Sequence, residues 1–197
     1  MSIAALDADI KLVKTALREA GVPSKLLAAI TTRALRSGRR QTGRFRSNRE
    51  PRWHLEPDDP QFGTETDCKT ILLRLYATLL EFDGAPTADP AVVALLEKTL
   101  GRTLVPSSLR DELTLEKLSY PDVVAEALDP TPGVSPVHIG HRDPGLKPRH
   151  VPDNVEWRTE RSNLIQGNLT LREARTKLVE LIARYFELGE VTITPDT

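Results

Sequence analysis

The chain has 197 residues and a net charge of −1, with 39% hydrophobic and 28% charged residues, a balance typical of one ordinary globular domain with or without an appended arm. Its single cysteine, Cys68, excludes an intramolecular disulfide and a four-cysteine zinc site. The sequence has neither an apolar run of membrane-spanning length nor a signal-type N-terminus, so we expect a cytoplasmic protein with no membrane partner.

Positive charge is concentrated in residues 33–52 although the chain as a whole is almost neutral. This segment contains eight arginines and a single acid, Glu50. A basic segment of this kind is typical of an arm that binds a polyanion, and its alternative interpretation is a solvated linker. The sequence therefore favours a nucleic-acid partner without proving one.

The first half of the chain is predicted to be helical. Apolar residues recur every three or four positions over residues 4–20, and a second helix is expected to begin with Ser24 as its cap and to end at Gly38. The arginine-rich segment that follows, to about residue 63, has glycines and prolines but no apolar period, which predicts a loop or arm.

Helical patterns return after residue 63. Residues 67–82 carry a wide apolar stripe that predicts a central core helix. A further helix is expected from Pro90 to a stop at Gly101, and residues 107–128 predict one or two shorter helices with Pro121 at the break.

Prolines and glycines place a boundary near residue 130, which divides the chain into a helical region, 1–130, and a smaller unit, 131–197. The segment "VHIGH" predicts a strand, "HVPDNVEWRT" predicts its antiparallel partner, and a helix is expected from about Thr159. Thr170 and Glu173 form a capping box for a last helix. Its apolar stripe consists of Leu171, Ala174, Leu178, Leu181, Ile182 and Tyr185. The predicted fold class is α+β and mostly α-helical.

Three of the four histidines, His138, His141 and His150, lie within this two-strand-plus-helix pattern. The segment contains "HRDP", a glycine-bearing loop, "NVEW" from Asn154, and "SNLIQGN" with Asn163 nine residues further on. In that order and spacing it resembles the HNH nucleases, whose ββα-metal unit cleaves phosphodiester bonds. The resemblance covers residues 136–170.

The resemblance implies a role for each matching residue. A histidine that titrates near neutral pH can take the proton of an attacking water, and the resemblance makes His141 this general base. It makes Asn154 the residue that fixes the loop and orients the imidazole, and Asn163 a metal ligand. Oxygen donors suit Mg²⁺ or Mn²⁺, which are the expected cofactors, and no structural zinc is expected.

The sequence departs from the family pattern at Gly140, where a second metal ligand, Asp or His, usually precedes the general base. His138 is two residues away, on the same face of the predicted strand, and is expected to replace that ligand. Asp143 and His150 remain alternatives. A structural zinc site formed by the three clustered histidines is a further interpretation.

These patterns predict a metal-dependent endonuclease of double-stranded DNA, in which the helical region recognises DNA and the ββα-metal unit cuts it. The resemblance favours a type II restriction endonuclease, which for a palindromic site implies a homodimer. Arginines are expected to contact DNA, because a guanidinium can neutralise phosphates and bind guanine edges. Those in the basic segment are Arg39, Arg40, Arg44 and Arg46, and those in the nuclease-like unit are Arg149, Arg158 and Arg161.

Two other functions fit the same residues. One is a non-catalytic DNA-binding protein whose HNH unit has lost its metal at Gly140. The other is a phage-type or homing endonuclease that nicks one strand. Retention of His141, Asn154 and Asn163 together favours catalysis.

Overall fold

The fold is described from a computed structural model. It describes residues 2–38, 40–41, 47–130 and 135–192, and only the backbone at 40–41 and 47–48. No helix in these ranges is both long and apolar enough to cross a membrane.

Most of the described residues in regular structure are helical, and the described residues also form two short antiparallel strand pairs. The helices are α1 Ile3–Glu19, α2 Ser24–Leu35, α3 Glu65–Leu79, α4 Pro90–Leu100, α5 Tyr120–Leu128, α6 Glu160–Gln166 and α7 Leu171–Glu187. The strands are β1 Arg40–Gln41, β2 Ser47–Asn48, β3 Val137–His141 and β4 Val155–Thr159. This confirms an α+β, mostly helical class.

Local signals in the sequence place several of these elements correctly. Helix α4 begins at Pro90 and ends at Gly101, whose φ of 73° is the left-handed conformation that glycine adopts most readily. Helix α7 begins with the predicted capping box, in which Thr170 and Glu173 satisfy each other's backbone N–H groups.

Other boundaries differ from the prediction. The cap of α2 is Pro23, with Ser24 as the first helical residue, and the helix ends at Leu35 rather than at Gly38. Residues 107–119 are not helical, so of the one or two helices expected over 107–128 a single one, α5, forms. Pro121 lies in its first turn, where a proline costs little because that N–H has no helical partner.

Helix α3 is the centre of the hydrophobic core. It packs against α1, α2 and α4, and the side chains of Val137, Val155 and Trp157 from β3 and β4 join the same core. Trp157 packs edge-on against Phe82 with ring centroids 5.3 Å apart, and its indole N–H donates to the carbonyl of Leu75 at 3.2 Å. These contacts fix β3 and β4 on the helical region, across the boundary predicted near residue 130.

Strands β3 and β4 are antiparallel and in the register Val137 to Thr159 through His141 to Val155. Thr159 caps α6 by accepting a hydrogen bond from the N–H of Ser162, and α6 contacts both strands. The order strand, strand, helix therefore agrees with the sequence pattern.

The apolar stripe of α7 is only partly buried. Leu171 and Ala174 pack with Leu113 in a small separate cluster, and Leu178 is half-buried beside them. The rest of the predicted stripe, Leu181, Ile182 and Tyr185, is exposed. The apolar stripe therefore covers a core only in its first half.

Candidate active site

A cavity of about 230 Å³ lies where β3 faces the C-terminal end of α2 and the segment that follows β2. Three histidines line it, His138, His141 and His150. Four arginines line it as well: Arg33, Arg36, Arg49 and Arg52. We call this the His–Arg cavity. Cationic side chains in such a cavity are suited to an anion such as a phosphate.

His141 is the last residue of β3, and one of its ring nitrogens makes no hydrogen bond to the described residues. Its Nε2 is buried and has no hydrogen-bond partner among the described residues, and the same is true of Nε2 in His138. Burial is the main cause that lowers the pKa of His141 to about 4, and the nearby charges of Arg149 and Arg52 act in the same direction. The imidazole is therefore neutral at pH 7, as a proton acceptor must be.

One ring nitrogen of His150 makes a hydrogen bond to a distant part of the chain. His150 is 1% exposed, and Nε2 lies 2.7 Å from the carbonyl oxygen of Ala34, to which it donates. Its ring centroid is 5.9 Å from that of His141. His150 thus joins the loop before β4 to α2 and supports the wall of the cavity behind His141.

The free energy of unfolding is expected to fall in acid because of His150. Burial is the main cause that lowers its pKa to about 3, whereas an unfolded histidine titrates near 6.5. As pH falls through this window, the unfolded chain takes up a proton that the folded chain cannot hold. Between pH 6.5 and pH 5, His150 alone lowers the free energy of unfolding by ~2 kcal/mol. Urea unfolding at pH 6.5 and pH 5 should show that the free energy of unfolding falls less in His150→Gln than in the wild-type protein. An equal fall in the two proteins would contradict the lowered pKa of His150.

Asn154 bridges the two sides of the loop between β3 and β4. Its Nδ2 donates to the carbonyls of Asp143 at 2.9 Å and Arg149 at 2.8 Å, and its Oδ1 accepts from the N–H of Asp143 at 2.7 Å. The side chain is 4% exposed. Asn154 therefore holds the chain that leaves His141 in one conformation.

The arginines of the His–Arg cavity come from both ends of the basic segment. Arg52 donates to the carbonyls of Gln61 at 3.0 Å and Arg33 at 3.3 Å, and burial lowers its pKa to about 10. Arg33 also pairs with Glu126 at 2.8 Å, and Arg36 donates to the carbonyl of Arg49 at 3.1 Å. Sequence reasoning placed these residues in the basic segment but did not single them out, and only the tertiary fold brings them to the histidines.

Gly140 lies directly against Arg158 and Asn163. A Cβ added at Gly140 would lie 2.7 Å from Cδ of Arg158 and 3.3 Å from the amide oxygen of Asn163. A contact of 2.7 Å is a steric clash, so the space of a side chain at position 140 belongs to Arg158. The structure nonetheless brings Asn163, from α6, next to the residue that precedes His141.

Arg158 is fully buried and engaged in a network that the sequence did not reveal. Its Nε and Nη2 donate to Glu156 at 2.9 and 2.8 Å, and Nη1 donates to Gln166. The amide nitrogen of Gln166 in turn donates to the carbonyl of His141 at 3.2 Å. Arg158 was predicted to contact DNA, but with 0% exposure and every nitrogen engaged it supports β3 and α6 from inside instead.

The other arginines predicted to contact DNA are placed as follows. Arg161 is on α6 with 76% of its side chain exposed, and Arg149 is half-buried in the loop beside His141. Arg40 lies in β1, where only the backbone is described, and Arg39, Arg44 and Arg46 lie outside the described residues.

Two side chains near His141 carry atoms that could bind a divalent cation. Within the described ranges no three His, Cys, Asp or Glu side chains are placed to hold a metal ion. Mg²⁺ commonly takes only one or two protein ligands and keeps several waters. The candidate ligand atoms are the amide oxygen of Asn163, beside Gly140, and the unpaired Nε2 of His138, in the His–Arg cavity, although neither is a carboxylate.

Comparison with solved structures identifies a similar fold. The chain shares its fold with a type II restriction endonuclease. The match to that crystal structure has a TM-score of 0.63 at 19% sequence identity, and it covers 83% of this chain and 77% of the other. No family model and no curated protein matches the sequence. The structural match extends well beyond the HNH-like residues 136–170 and includes most of the helical region.

Proposed function

We propose that the protein is a metal-dependent endonuclease that hydrolyses double-stranded DNA, with the His–Arg cavity as its active site. The observation that carries this proposal is the buried, unpartnered Nε2 of His141 in a cavity lined by four arginines. The fold shared with a type II restriction endonuclease supports it.

In this proposal His141 is the general base. Its neutral Nε2 takes a proton from water, the water oxygen bonds to phosphorus, and the bond from phosphorus to the 3′-oxygen breaks. Arg36 and Arg52 neutralise the phosphate, whose negative charge grows at the transition state. Asn154 keeps the imidazole in position through the loop that it bridges. The leaving oxygen takes its proton from solvent.

Asn163 and His138 are proposed to hold Mg²⁺ or Mn²⁺, as Asn163 provides an amide oxygen and His138 an imidazole nitrogen. When bound, such an ion acts as a Lewis acid that stabilises the leaving oxygen. Arg149 and Arg161 flank this region and are suited to the phosphates on either side of the scissile bond. That the nuclease is of the HNH type is part of this proposal, supported by the sequence resemblance over residues 136–170.

Sequence-specific cleavage of both strands, as in a type II restriction enzyme, calls for two active sites. A homodimer supplies them, because its two-fold axis can coincide with that of a palindromic DNA site. The basic segment between α2 and α3 adjoins the His–Arg cavity and is proposed to read the DNA sequence there.

One observation favours a DNA-binding protein that does not cut. Arg158 fills the space in which the HNH pattern has a second ligand, and a buried guanidinium near Asn163 disfavours a cation. Glu156 opposes this effect, since its carboxylate pairs with Arg158 at 2.8 Å. Because of this ion pair, a nuclease is better supported than a DNA-binding protein that does not cut.

The experiment is incubation of the purified protein with unmethylated phage DNA and Mg²⁺ or Mn²⁺, with EDTA as the control. Discrete fragments that require the metal are the expected result, and their ends would give the recognition site. Nicked plasmid without linear product would identify a nicking enzyme. DNA that is retarded on a gel but intact with either metal would overturn the nuclease and leave the binding protein.

A further inference from the structure

The second half of α7 projects from the body of the protein. Every residue from Val179 to Glu190 is exposed, whereas the first half of the helix packs on Leu113. Large apolar side chains nevertheless continue along it. Their exposed fractions are Val179 67%, Leu181 39%, Ile182 50%, Tyr185 47%, Phe186 37% and Leu188 70%.

A projecting helix of this kind needs a partner. Helices of about ten residues are marginal in water when nothing packs against them, since most helical stability in proteins comes from burying an apolar face. Contiguous exposed apolar surface is also uncommon on monomers and typical of interaction sites. The projecting half of α7 therefore has the properties of one side of an interface.

One exposed face of α7 runs the length of that half. Val179, Ile182 and Phe186 are three and four residues apart and share it, beside the face that packs on Leu113. Ala183 lies among them, and its small side chain allows another helix to approach closely. The centre of the face is therefore apolar and free of charge.

Charge is divided between the two halves of the helix. Residues 171–178 contain three basic side chains and one acidic, a net charge of +2. Residues 179–187 have a net charge of −1, and Glu190 just after the helix makes the charge of 179–190 equal to −2. Two copies laid antiparallel about the middle of the exposed segment bring residues 175–178, with Arg175 and Lys177, against the acidic segment 187–190 of the partner, whereas two parallel copies bring like charges together. The helix is complementary to itself in the antiparallel orientation.

We propose that α7 pairs with α7 of a second copy of this chain, antiparallel and around a two-fold axis near Ile182 and Ala183. A two-fold interface must be formed by the same patch on both subunits, and this helix meets that requirement in both shape and charge. The pairing gives the proposed enzyme a dimer interface, but it follows from the exposure and charge of α7 and does not depend on nuclease activity.

Light scattering at micromolar concentration tests the pairing. The wild-type protein is expected at twice the chain mass of 21.9 kDa. Ile182→Glu places a charge at the centre of each copy and should weaken dimerisation by more than ~100-fold. Because Ile182 is exposed, the variant should keep the wild-type circular dichroism apart from α7. The control is Leu12→Glu, a 55% exposed leucine on α1, which should stay dimeric.

Charge reversal tests the orientation. Arg172→Glu with Lys177→Glu makes the first half of α7 acidic and should weaken the dimer at low salt. Adding Glu187→Lys and Glu190→Lys to the same chain reverses the other half and should restore it. A monomeric wild-type protein, a dimer that Ile182→Glu leaves intact, or a failure of the four changes to restore pairing would each overturn the proposal. A dimer that does not cut DNA would instead overturn only the nuclease.

Discussion

Replacement of His141 by alanine is expected to lower the rate of DNA cleavage about 10²- to 10⁴-fold, the usual contribution of a general base. The imidazole has a buried Nε2 with no protein partner, and arginines rather than carboxylates surround it. Removing it leaves the cation and the arginines in place but no group to take the proton of the water. The measurement is single-turnover cleavage of a fragment that carries the recognition site.

DNA binding separates this chemical role from a structural one. His141→Ala should bind DNA within a few-fold of wild type in a gel-shift assay with Ca²⁺, because the arginines that neutralise phosphate are unchanged. The matched control is His54→Ala, since His54 is exposed and is the one histidine that does not line the His–Arg cavity. It should cleave normally. Equal cleavage by His141→Ala and wild type would show that another group is the base.

The order and pairing of the C-terminal elements follow from short-range patterns and could be predicted. Alternation and turn residues define β3 and β4, and the capping box fixes the start of α7. These signals act over a few residues, so one sequence is enough to read them. The same locality limits what the apolar stripe of α7 can predict. Its apolar period specifies one face, but not whether that face meets this chain or another.

The His–Arg cavity depends on contacts that no local pattern contains. His150 meets Ala34 across 116 residues, and this contact brings the end of α2 to the histidines. The basic segment was predicted to meet DNA, but which of its arginines line the cavity depends on that tertiary contact. Arg158 is different, because Glu156 lies two residues before it on the same face of β4. Their opposite charges could have been read as a buried pair.

The free energy of unfolding is expected to fall by up to ~3–5 kcal/mol in Arg158→Met, because the change removes the closer of two arginines that pair with the Glu156 carboxylate, Arg158 at 2.8 Å and Arg142 at 3.4 Å. The Arg158–Glu156 pair joins β4 to α6 through Gln166, beside the backbone of His141. Urea unfolding measures the loss. In the double variant Arg158→Met with Glu156→Gln no charge of the pair remains, so most of the stability should return.

The same variant gives a pH signature that simple loss of packing would not. Burial and the neighbouring Glu112 raise the pKa of Glu156 to about 7, although Arg158 acts to lower it. Without Arg158 this pKa rises further. A carboxyl whose pKa is raised in the folded state lowers the free energy of unfolding as pH rises through that pKa, because the same carboxyl ionises at lower pH in the unfolded chain. The cost of Arg158→Met should therefore be larger at pH 8 than at pH 5, and an equal cost at both would show that Glu156 does not depend on Arg158 for its charge.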